Sequence, residues 1–268
     1  MLSILEDYLS EIVLGGGFAP LIYYHYVIGD KKMTPIFTGD VDFMVRKKVP
    51  LKGKSNIDFL LKEAGFREAY LGQSTPPKVY YIGEIDGNEV EVEFLTESPG
   101  DGTIKAIQVQ KGLIAEALKF ISMSVDNTMT VAIDDSLDYG FTKDLEVKVP
   151  TLGAFVFHKG LAFTYRMDKA KLEKDLYYMF DIIRQDLMKE LIIDEINHLK
   201  TSNNRNKAWF RKFRRNMFEY FMVEDKPLPK GVLSVSNQRP PDQLLDMDED
   251  QFKNYVFFTF KEFLKNVL

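Results

Sequence analysis

The spacing of hydrophobic residues changes along the chain and predicts two different halves. Over residues 1–14 the apolar positions recur at approximately helical spacing, and the glycine run Gly15–Gly17 would end such a helix. A second helix is predicted over Phe18–Ile28, and a short one over Ile57–Gly65, where the glycine is a typical helix terminator. The segments between these helices follow a different period.

Alternating apolar and polar residues predict strands in those segments. Residues 36–45 alternate in this way, as does the run Thr128–Ile133. Lys78–Leu95 is predicted to be a hairpin, because two β-rich runs flank the strong turn signal Asp86-Gly87-Asn88. Leu113–Met123 is predicted to be a helix. The sheet is therefore expected to be partly antiparallel.

From Thr151 onward the period is helical. The predicted helices are Leu152–Tyr165, Lys169–Arg184, Met188–Leu199, Asn206–Phe221 and Glu249–Val267. The segment 225–241, rich in proline, serine and asparagine, is predicted to be an exposed connection before the last helix. The expected fold class is α/β (α+β), with a mixed sheet and flanking helices over residues 1–150 and an α-helical domain over 151–268. The predicted boundary lies near Pro150.

Composition narrows the classes of protein that this chain can represent. Its 268 residues carry a formal net charge of −5 and no cysteine, which excludes disulfides, thiolate metal sites and a cysteine nucleophile. No stretch approaches the roughly 20 apolar residues of a membrane helix. Glu6, Asp7 and Glu11 stand where an export signal would be basic and then apolar, so a cytoplasmic protein without a membrane partner is expected.

The candidate chemistry lies on the strand Thr38-Gly39-Asp40-Val41-Asp42-Phe43. Asp40 and Asp42 are two residues apart on a predicted strand, so both carboxylates point to one face. Two like charges held this close favour a cation, and hard divalent ions such as Mg²⁺ prefer carboxylates together with substrate phosphates. A neighbouring strand would supply a third carboxylate. Glu93 is the favoured candidate and Glu91 the second.

The glycine run before this strand makes the prediction more specific. Gly15, Gly16 and Gly17 form a backbone that a triphosphate could approach closely, helped by the N-terminus of the next helix. Two alternatives stay open. The Asp-x-Asp pair could be a solvated edge strand, and the glutamates of Glu89–Glu93 could be only the polar face of a hairpin.

These motifs resemble the nucleotidyltransferase superfamily, whose best-known fold is that of DNA polymerase β. The matching residues are Leu14–Ala19 and Thr38–Phe43. Within the superfamily the chain looks like minimal enzymes related to abortive-infection nucleotidyltransferase toxins. His158–Ala162 with Arg166, and Lys174–Tyr178, look like the later helix pair of those enzymes. The resemblance covers residues 10–185.

The resemblance implies metal-dependent transfer of a nucleoside monophosphate from a nucleoside triphosphate, ATP among them, to an acceptor hydroxyl. Two Mg²⁺ ions, or Mn²⁺ in their place, would be held by Asp40, Asp42 and Glu93, with Glu91 as the alternative third ligand. The implied nucleotide-binding residues are Gly15, Gly16, Gly17, Thr38, Lys159, Arg166, Lys174 and Asp175.

Two features limit what the resemblance implies for the nucleotide. Phe18, or Gly17 if the matching pair is Gly15-Gly16, stands where the family has a hydroxyl after the glycines, which weakens the expectation of triphosphate binding relative to that of metal binding. The basic residues also have a simpler interpretation. Lys159 and Arg166 could form a solvated helix stripe, and Lys174-Asp175 could be a surface pair.

A basic segment near residue 205 indicates a second kind of contact. It interleaves the only tryptophan with phenylalanines and could bind RNA through Arg205, Lys207, Arg211, Lys212, Arg214 and Arg215. The alternative is that Trp209, Phe210, Phe213 and Met217 are a core stripe with a solvated basic side.

The leading hypothesis is a nucleotidyltransferase whose acceptor is tRNA or another RNA, a protein or a small molecule. A toxin restrained by an antitoxin protein is one plausible setting. The competing hypotheses are a catalytically silent protein that keeps the fold for binding or regulation, and an RNA-binding protein that uses residues 200–215.

Overall fold

The computed structural model describes residues 1–30, 39–72, 76–100, 104–135, 144–223, 228–240 and 246–268. The chain forms two compact units, Met1–Thr151 and Leu152–Leu268. The first contains a mixed sheet with flanking helices and the second is helical, so the predicted fold class is confirmed. In the described parts of the chain, no helix is both long and apolar enough to cross a membrane.

The strands of the first unit, in chain order, are β1 (Ile12–Leu14), β2 (Asp40–Val45), β3 (Arg67–Leu71), β4 (Lys78–Ile85), β5 (Asn88–Glu97), β6 (Ala106–Gln110), β7 (Leu113–Leu118), β8 (Thr128–Ile133) and β9 (Leu145–Pro150). β2 and β5 pair in parallel at the centre of the main sheet, and β5 also pairs in parallel with β7. The pairs β1–β2, β3–β4, β4–β5 and β6–β7 are antiparallel. β8 and β9 form a separate antiparallel pair.

The helices of this unit are α1 (Phe18–Ile22), which continues as a π-helical segment over Tyr23–Ile28, α2 (Ile57–Glu63) and α3 (Ile121–Asp126). One face of the sheet is aromatic. Phe43 of β2 and Phe94 of β5 stack with ring centroids 5.7 Å apart, and Tyr81 of β4 contacts Phe94 edge-on at 6.1 Å. Because side chains alternate along a strand, the residues between these point to the opposite face.

Two predicted helices of the first unit are wrong. Residues 1–14 form a 3₁₀ turn at Glu6–Tyr8 and then β1, which pairs with β2. Ile12–Leu14 are all buried, and a short apolar run of this kind does not distinguish a strand from a helix. The segment 113–123 is β7 followed by α3, because Leu113, Ala115 and Ala117 are buried with period 2 against the sheet.

The second unit contains α4 (Leu152–Ala162), α5 (Lys169–Ile183), α6 (Asp186–Ser202), α7 (Asn204–Phe221), α8 (Lys230–Ser236) and α9 (Glu249–Val267). The five predicted helices are confirmed, with small shifts at their ends. α9 begins at Glu249 because Asp248 and Gln251 form a capping box. The expected exposed connection over 225–241 is wrong where the structure describes it, since Val232 and Val235 of α8 are buried. Residues 224–227 and 241–245 lie outside the described residues.

Candidate active site

The pairing of β2 with β5 brings the predicted carboxylates together. Asp40 is directly opposite Glu91 and Asp42 directly opposite Glu93, and adjacent strands are about 4.8 Å apart. All four side chains are half-buried, whereas Val92 between the two glutamates is buried on the aromatic face. The predicted direction of these side chains is therefore confirmed.

Negative charge is concentrated among these four carboxylates. Burial, a hydrogen bond with Glu93 and the negative charges of Glu93 and Asp40 raise the pKa of the Glu91 carboxyl above its ordinary value. A positive charge placed among these carboxylates would relieve the repulsion. The described face therefore favours a cation.

One cation is already supplied by the protein. The Lys78 Nζ atom of β4 lies 3.1 Å from Glu93 Oε1 and 2.9 Å from Glu116 Oε2 of β7. Burial opposes the charge on Lys78, but the two carboxylates outweigh it and raise the Lys78 pKa. Neither Lys78 nor Glu116 is among the residues predicted from the sequence. The alternation along the hairpin places Lys78 on the same face as Glu93 and could have indicated it, whereas Glu116 lies in a segment predicted to be helical.

The glycine turn lies directly against Asp42. The Gly15 backbone N–H donates to the Asp42 carbonyl oxygen at 2.8 Å. Gly16 has a φ of +56°, and a Cβ atom at this residue would lie 2.0 Å from Asp42 Oδ2. Gly17 precedes the first residue of α1. Only glycine fits at position 16, so the turn and the carboxylate strand form one structural unit. Thr38 lies outside the described residues.

The donor chemistry of this face matches a hard divalent cation, since Asp40, Asp42, Glu91 and Glu93 offer only carboxylate oxygens. The described residues contain no ready-made group of three or more histidine, aspartate and glutamate side chains that could hold a metal ion. The ion pair between Glu93 and Lys78 engages the favoured third ligand. The residues therefore fit Mg²⁺ or Mn²⁺ by chemistry, and binding would require Glu93 to exchange partners or Glu91 to take its place.

In the second unit, Asp175 of α5 joins two basic residues. Asp175 is 3% exposed, and its Oδ1 accepts a hydrogen bond from the Lys159 Nζ of α4. Its Oδ2 accepts from Arg166 Nε at 2.8 Å. Lys159 also lies over the rings of Phe155 and Tyr178. We call Lys159, Arg166 and Asp175 the Asp175 cluster.

The Asp175 cluster corrects both simpler interpretations. Lys159 is buried, so the solvated stripe is wrong, and Asp175 pairs with Lys159 and Arg166, so the surface pair with Lys174 is wrong. Lys174 is half-buried with its Nζ 5.8 Å from the Tyr178 ring centroid. Burial opposes ionisation of Asp175, but the charges and hydrogen bonds of Lys159 and Arg166 together lower its pKa below the ordinary value. The carboxylate is therefore ionised at neutral pH.

The basic segment forms most of α7. Phe213 and Met217 are fully buried, and Phe210 contacts Phe157 of α4 at 6.1 Å, so the predicted core stripe is confirmed for these residues. Two of the basic side chains contact aromatic rings. The Arg205 guanidinium lies 4.8 Å from the Trp209 ring, and Lys212 Nζ donates to Tyr165 Oη at 2.7 Å. The others, Lys207, Arg211, Arg214 and Arg215, are exposed.

Closely spaced carboxylates are the usual protein ligands of the divalent ions in enzymes that transfer phosphate-bearing groups. A family model described as Nucleotidyltransferase matches residues 9–195, well over half of the chain. The chain belongs to this nucleotidyltransferase family. The match includes the carboxylate strands, the glycine turn and the Asp175 cluster, and it ends before α7.

Neither the curated proteins nor the solved structures contain a significant match to the chain. The family match does not confirm the resemblance to abortive-infection toxins, which stays a prediction.

Proposed function

We propose that the protein transfers a nucleoside monophosphate from a nucleoside triphosphate to an acceptor hydroxyl in a reaction that depends on divalent metal. The observation that carries this proposal is the register between β2 and β5, which sets Asp40 and Asp42 beside Glu91 and Glu93 next to the glycine turn. Family membership supports nucleotidyl transfer in general. Metal dependence rests on the carboxylate chemistry alone.

In the proposed reaction, the acceptor oxygen forms a bond to the α-phosphorus and the bond to pyrophosphate breaks. Asp40, Asp42 and either Glu93 or Glu91 would hold two Mg²⁺ ions, or Mn²⁺, which supply neutralisation of the phosphate charge. One carboxylate of the cluster takes the acceptor proton. The backbone N–H groups of Gly16 and Gly17 bind the triphosphate, whereas Gly15 contributes by position, because its N–H donates to the Asp42 carbonyl oxygen and holds the turn against the carboxylate strand.

The Asp175 cluster is proposed to bind phosphate with Lys174. Two cations share one carboxylate in this cluster, which leaves a net positive charge. Asp175 holds the buried Lys159 and fixes Arg166 through its Nε, so Asp175 orients the cations rather than contacting the nucleotide itself. Arg166 and Lys174 are half-buried and are the proposed phosphate contacts. Thr38 is retained as a proposed nucleotide contact from the resemblance alone.

The test is a thermal-shift series with each nucleoside triphosphate and Mg²⁺ or Mn²⁺, combined with an assay for pyrophosphate release. Wild type should be stabilised by metal and one nucleotide together, and Asp42→Asn should lose that stabilisation. Glu89→Gln is the matched control, because Glu89 lies on β5 but is exposed. No metal-dependent stabilisation of wild type by any nucleotide would overturn the proposal.

A catalytically silent binding protein is the second candidate. The observations that favour it are the ion pair between the Lys78 ammonium and Glu93, and the presence of Phe18, or of Gly17 on the alternative alignment, where the family has a hydroxyl. Such a protein would be stabilised by nucleotide yet release no pyrophosphate with any acceptor. The two candidates are therefore separated by the same pair of assays.

A toxin restrained by an antitoxin protein is the proposed biological setting, on the resemblance alone. Controlled expression of wild type should then arrest growth, and Asp42→Asn should not. Equal growth of the two strains at equal protein level would remove the toxin proposal and leave the enzymatic one intact.

A further inference from the structure

Helix α7 presents a row of cations on the side away from its core contacts. It carries six basic residues and one acidic residue, Glu219. Arg211 follows Lys207 by four residues and precedes Arg214 by three and Arg215 by four, so these residues share one helix face. We call these four residues the basic face.

The charges of Lys207, Arg211 and Arg214 are not neutralised by the described protein, whereas the charge of Arg215 adds to that of Lys230 in lowering the pKa of Glu219. Lys207, Arg211 and Arg214 are exposed, and none of them forms an ion pair with a described residue. Glu219, the acid of the same helix, is paired with Lys230 at 2.7 Å. With a net charge of −5 on the whole chain, attraction for a polyanion has to be local, and the basic face provides it.

The opposite side of α7 is fixed in the core. Phe213 contacts the Phe157 ring at 5.1 Å, and Asn216 donates to the Gly160 carbonyl oxygen at 3.0 Å. A Cβ atom at Gly160 would lie 2.4 Å from the Phe213 ring, so α4 and α7 are in close contact there. The basic face is therefore presented by a preorganised helix, which lowers the entropy lost on binding.

Aromatic and concave features accompany the charges. Phe218 is 52% exposed, and it lines a shallow groove with Arg211, Arg214, Arg215, Val223 and Glu219, whose carboxylate is paired with Lys230. A second depression toward the N-terminus of α7 is lined by Lys200, Lys207 and Arg211. Guanidinium groups bind phosphates through paired hydrogen bonds, and an exposed ring beside them can stack on an unpaired base.

We propose that the basic face of α7 binds the backbone of single-stranded RNA and that RNA is the acceptor of the nucleotide. The second part rests on the proposed function, whereas RNA binding does not. An anionic membrane is less suitable as a partner, because the apolar side of α7 is buried in the core and Phe218 is the exposed large apolar residue of this helix. α7 lies beyond the family match, so family membership does not assign this surface.

The experiment uses the full chain and a fluorescein-labelled single-stranded RNA about 20 nucleotides long, a length that exceeds typical single-strand site sizes. Arg211→Ala/Arg214→Ala should weaken binding by about tenfold or more and reduce the slope of log affinity against log salt by about 1.4. Lys171→Ala/Lys265→Ala is the control, because it removes the same charge from exposed positions on α5 and α9. That control should bind RNA like wild type.

Several results would overturn the proposal. Absence of RNA binding by wild type, or equal losses in the two double variants, would overturn the RNA surface. Binding to phosphatidylglycerol vesicles but not to RNA would assign the face to a membrane, and preference for single-stranded DNA of the same sequence would also contradict it.

The acceptor assignment is measured separately from nucleotide use. Arg211→Ala/Arg214→Ala should keep the stabilisation by metal and nucleotide but lose labelling of RNA by radioactive nucleotide. Labelling of a protein or small molecule, with no labelling of RNA, would overturn the assignment while leaving the proposed enzyme. Loss of RNA binding in a protein that uses no nucleotide would support the surface and reject the enzyme.

Discussion

Gly16 is the residue on which the geometry of the candidate site depends most directly. Its positive φ and the 2.0 Å approach of a Cβ atom to Asp42 Oδ2 leave no place for a side chain. Gly16→Ala should therefore displace the Asp42 carboxylate and add about 1–2 kcal/mol of backbone strain. We expect loss of the metal-dependent thermal shift and about a 100-fold lower rate of nucleotidyl transfer.

Gly15→Ala is the control for this variant. A Cβ atom there would meet the Met44 Cε at 2.7 Å, and the end of a methionine side chain can move. The alanine at position 15 should keep most of the metal response. If both variants respond to metal like wild type, the glycine turn does not set the position of Asp42.

Lys78 is a second residue for which two opposite effects are predicted. It should stabilise the metal-free protein and weaken the binding of metal. Lys78→Met removes the cation between Glu93 and Glu116, which should destabilise the metal-free protein by about 1–3 kcal/mol. The same change frees Glu93 from its competitor, so affinity for Mn²⁺ should rise. Urea unfolding and Mn²⁺ titration by electron paramagnetic resonance measure the two effects.

Lys78→Arg keeps the charge and should resemble wild type in both measurements. A purely structural lysine would give a different pattern, in which Lys78→Met lowers stability equally with and without Mn²⁺ and leaves metal affinity unchanged. Weaker Mn²⁺ binding by Lys78→Met would show that Lys78 supports the metal rather than competing with it.

At the scale of elements, the Asp175 cluster connects α4 to α5. Asp175→Asn would remove the carboxylate that Lys159 and Arg166 share, and breaking a buried pair costs about 3–5 kcal/mol. Because the folded-state pKa of Asp175 is lowered, this stability is present above the ordinary aspartate pKa of about 3.9. It is lost as the pH falls through the lower folded-state value.

The free energy of unfolding should therefore differ most between wild type and Asp175→Asn at pH 7. The difference should shrink below about pH 4, as measured by urea unfolding at each pH. Asp168→Asn is a suitable control, since Asp168 is an exposed helix cap and asparagine caps a helix about as well as aspartate. A gap for Asp175→Asn that stays constant down to pH 3 would contradict the ionic explanation.

The sequence predicted the structure best in elements where apolar and polar residues alternate with a single period. The alternation in β2 and β5 placed Asp40, Asp42, Glu91 and Glu93 on one face, and Asp86-Gly87 located the hairpin turn. It was misleading at β1 and β7. Both are short apolar strands, and their identity depends on pairing with distant strands.

The contacts that the site residues make with distant parts of the chain could not be predicted from the sequence. Glu116 meets Lys78 only because β7 lies beside β5, and Asp175 meets Lys159 only because α4 packs on α5. Strand order and helix packing are tertiary properties, so no local spacing indicates these contacts. Lys78 itself could have been inferred from its place in the hairpin alternation.

At the scale of the whole molecule, the two compact units carry separate probes of their stability. Trp209, the only tryptophan, lies on α7 in the second unit, whereas the candidate metal ligands all lie in the first. A ligand stabilises the structure that it binds by an amount set by its concentration relative to Kd, about 2.7 kcal/mol at 100 times Kd. Mn²⁺ should therefore act mainly on the first unit.

Urea unfolding followed by Trp209 fluorescence should be almost unaffected by Mn²⁺, and circular dichroism in the same samples should show a component that shifts to higher urea. Asp42→Asn should abolish the shift without moving the Trp209 transition. The unfolding transitions measured by fluorescence and by circular dichroism would coincide, and both would shift with Mn²⁺, only if the two units unfold as one cooperative structure. That outcome would show that metal binding at the β2–β5 carboxylates is coupled energetically to the helix that carries the basic face.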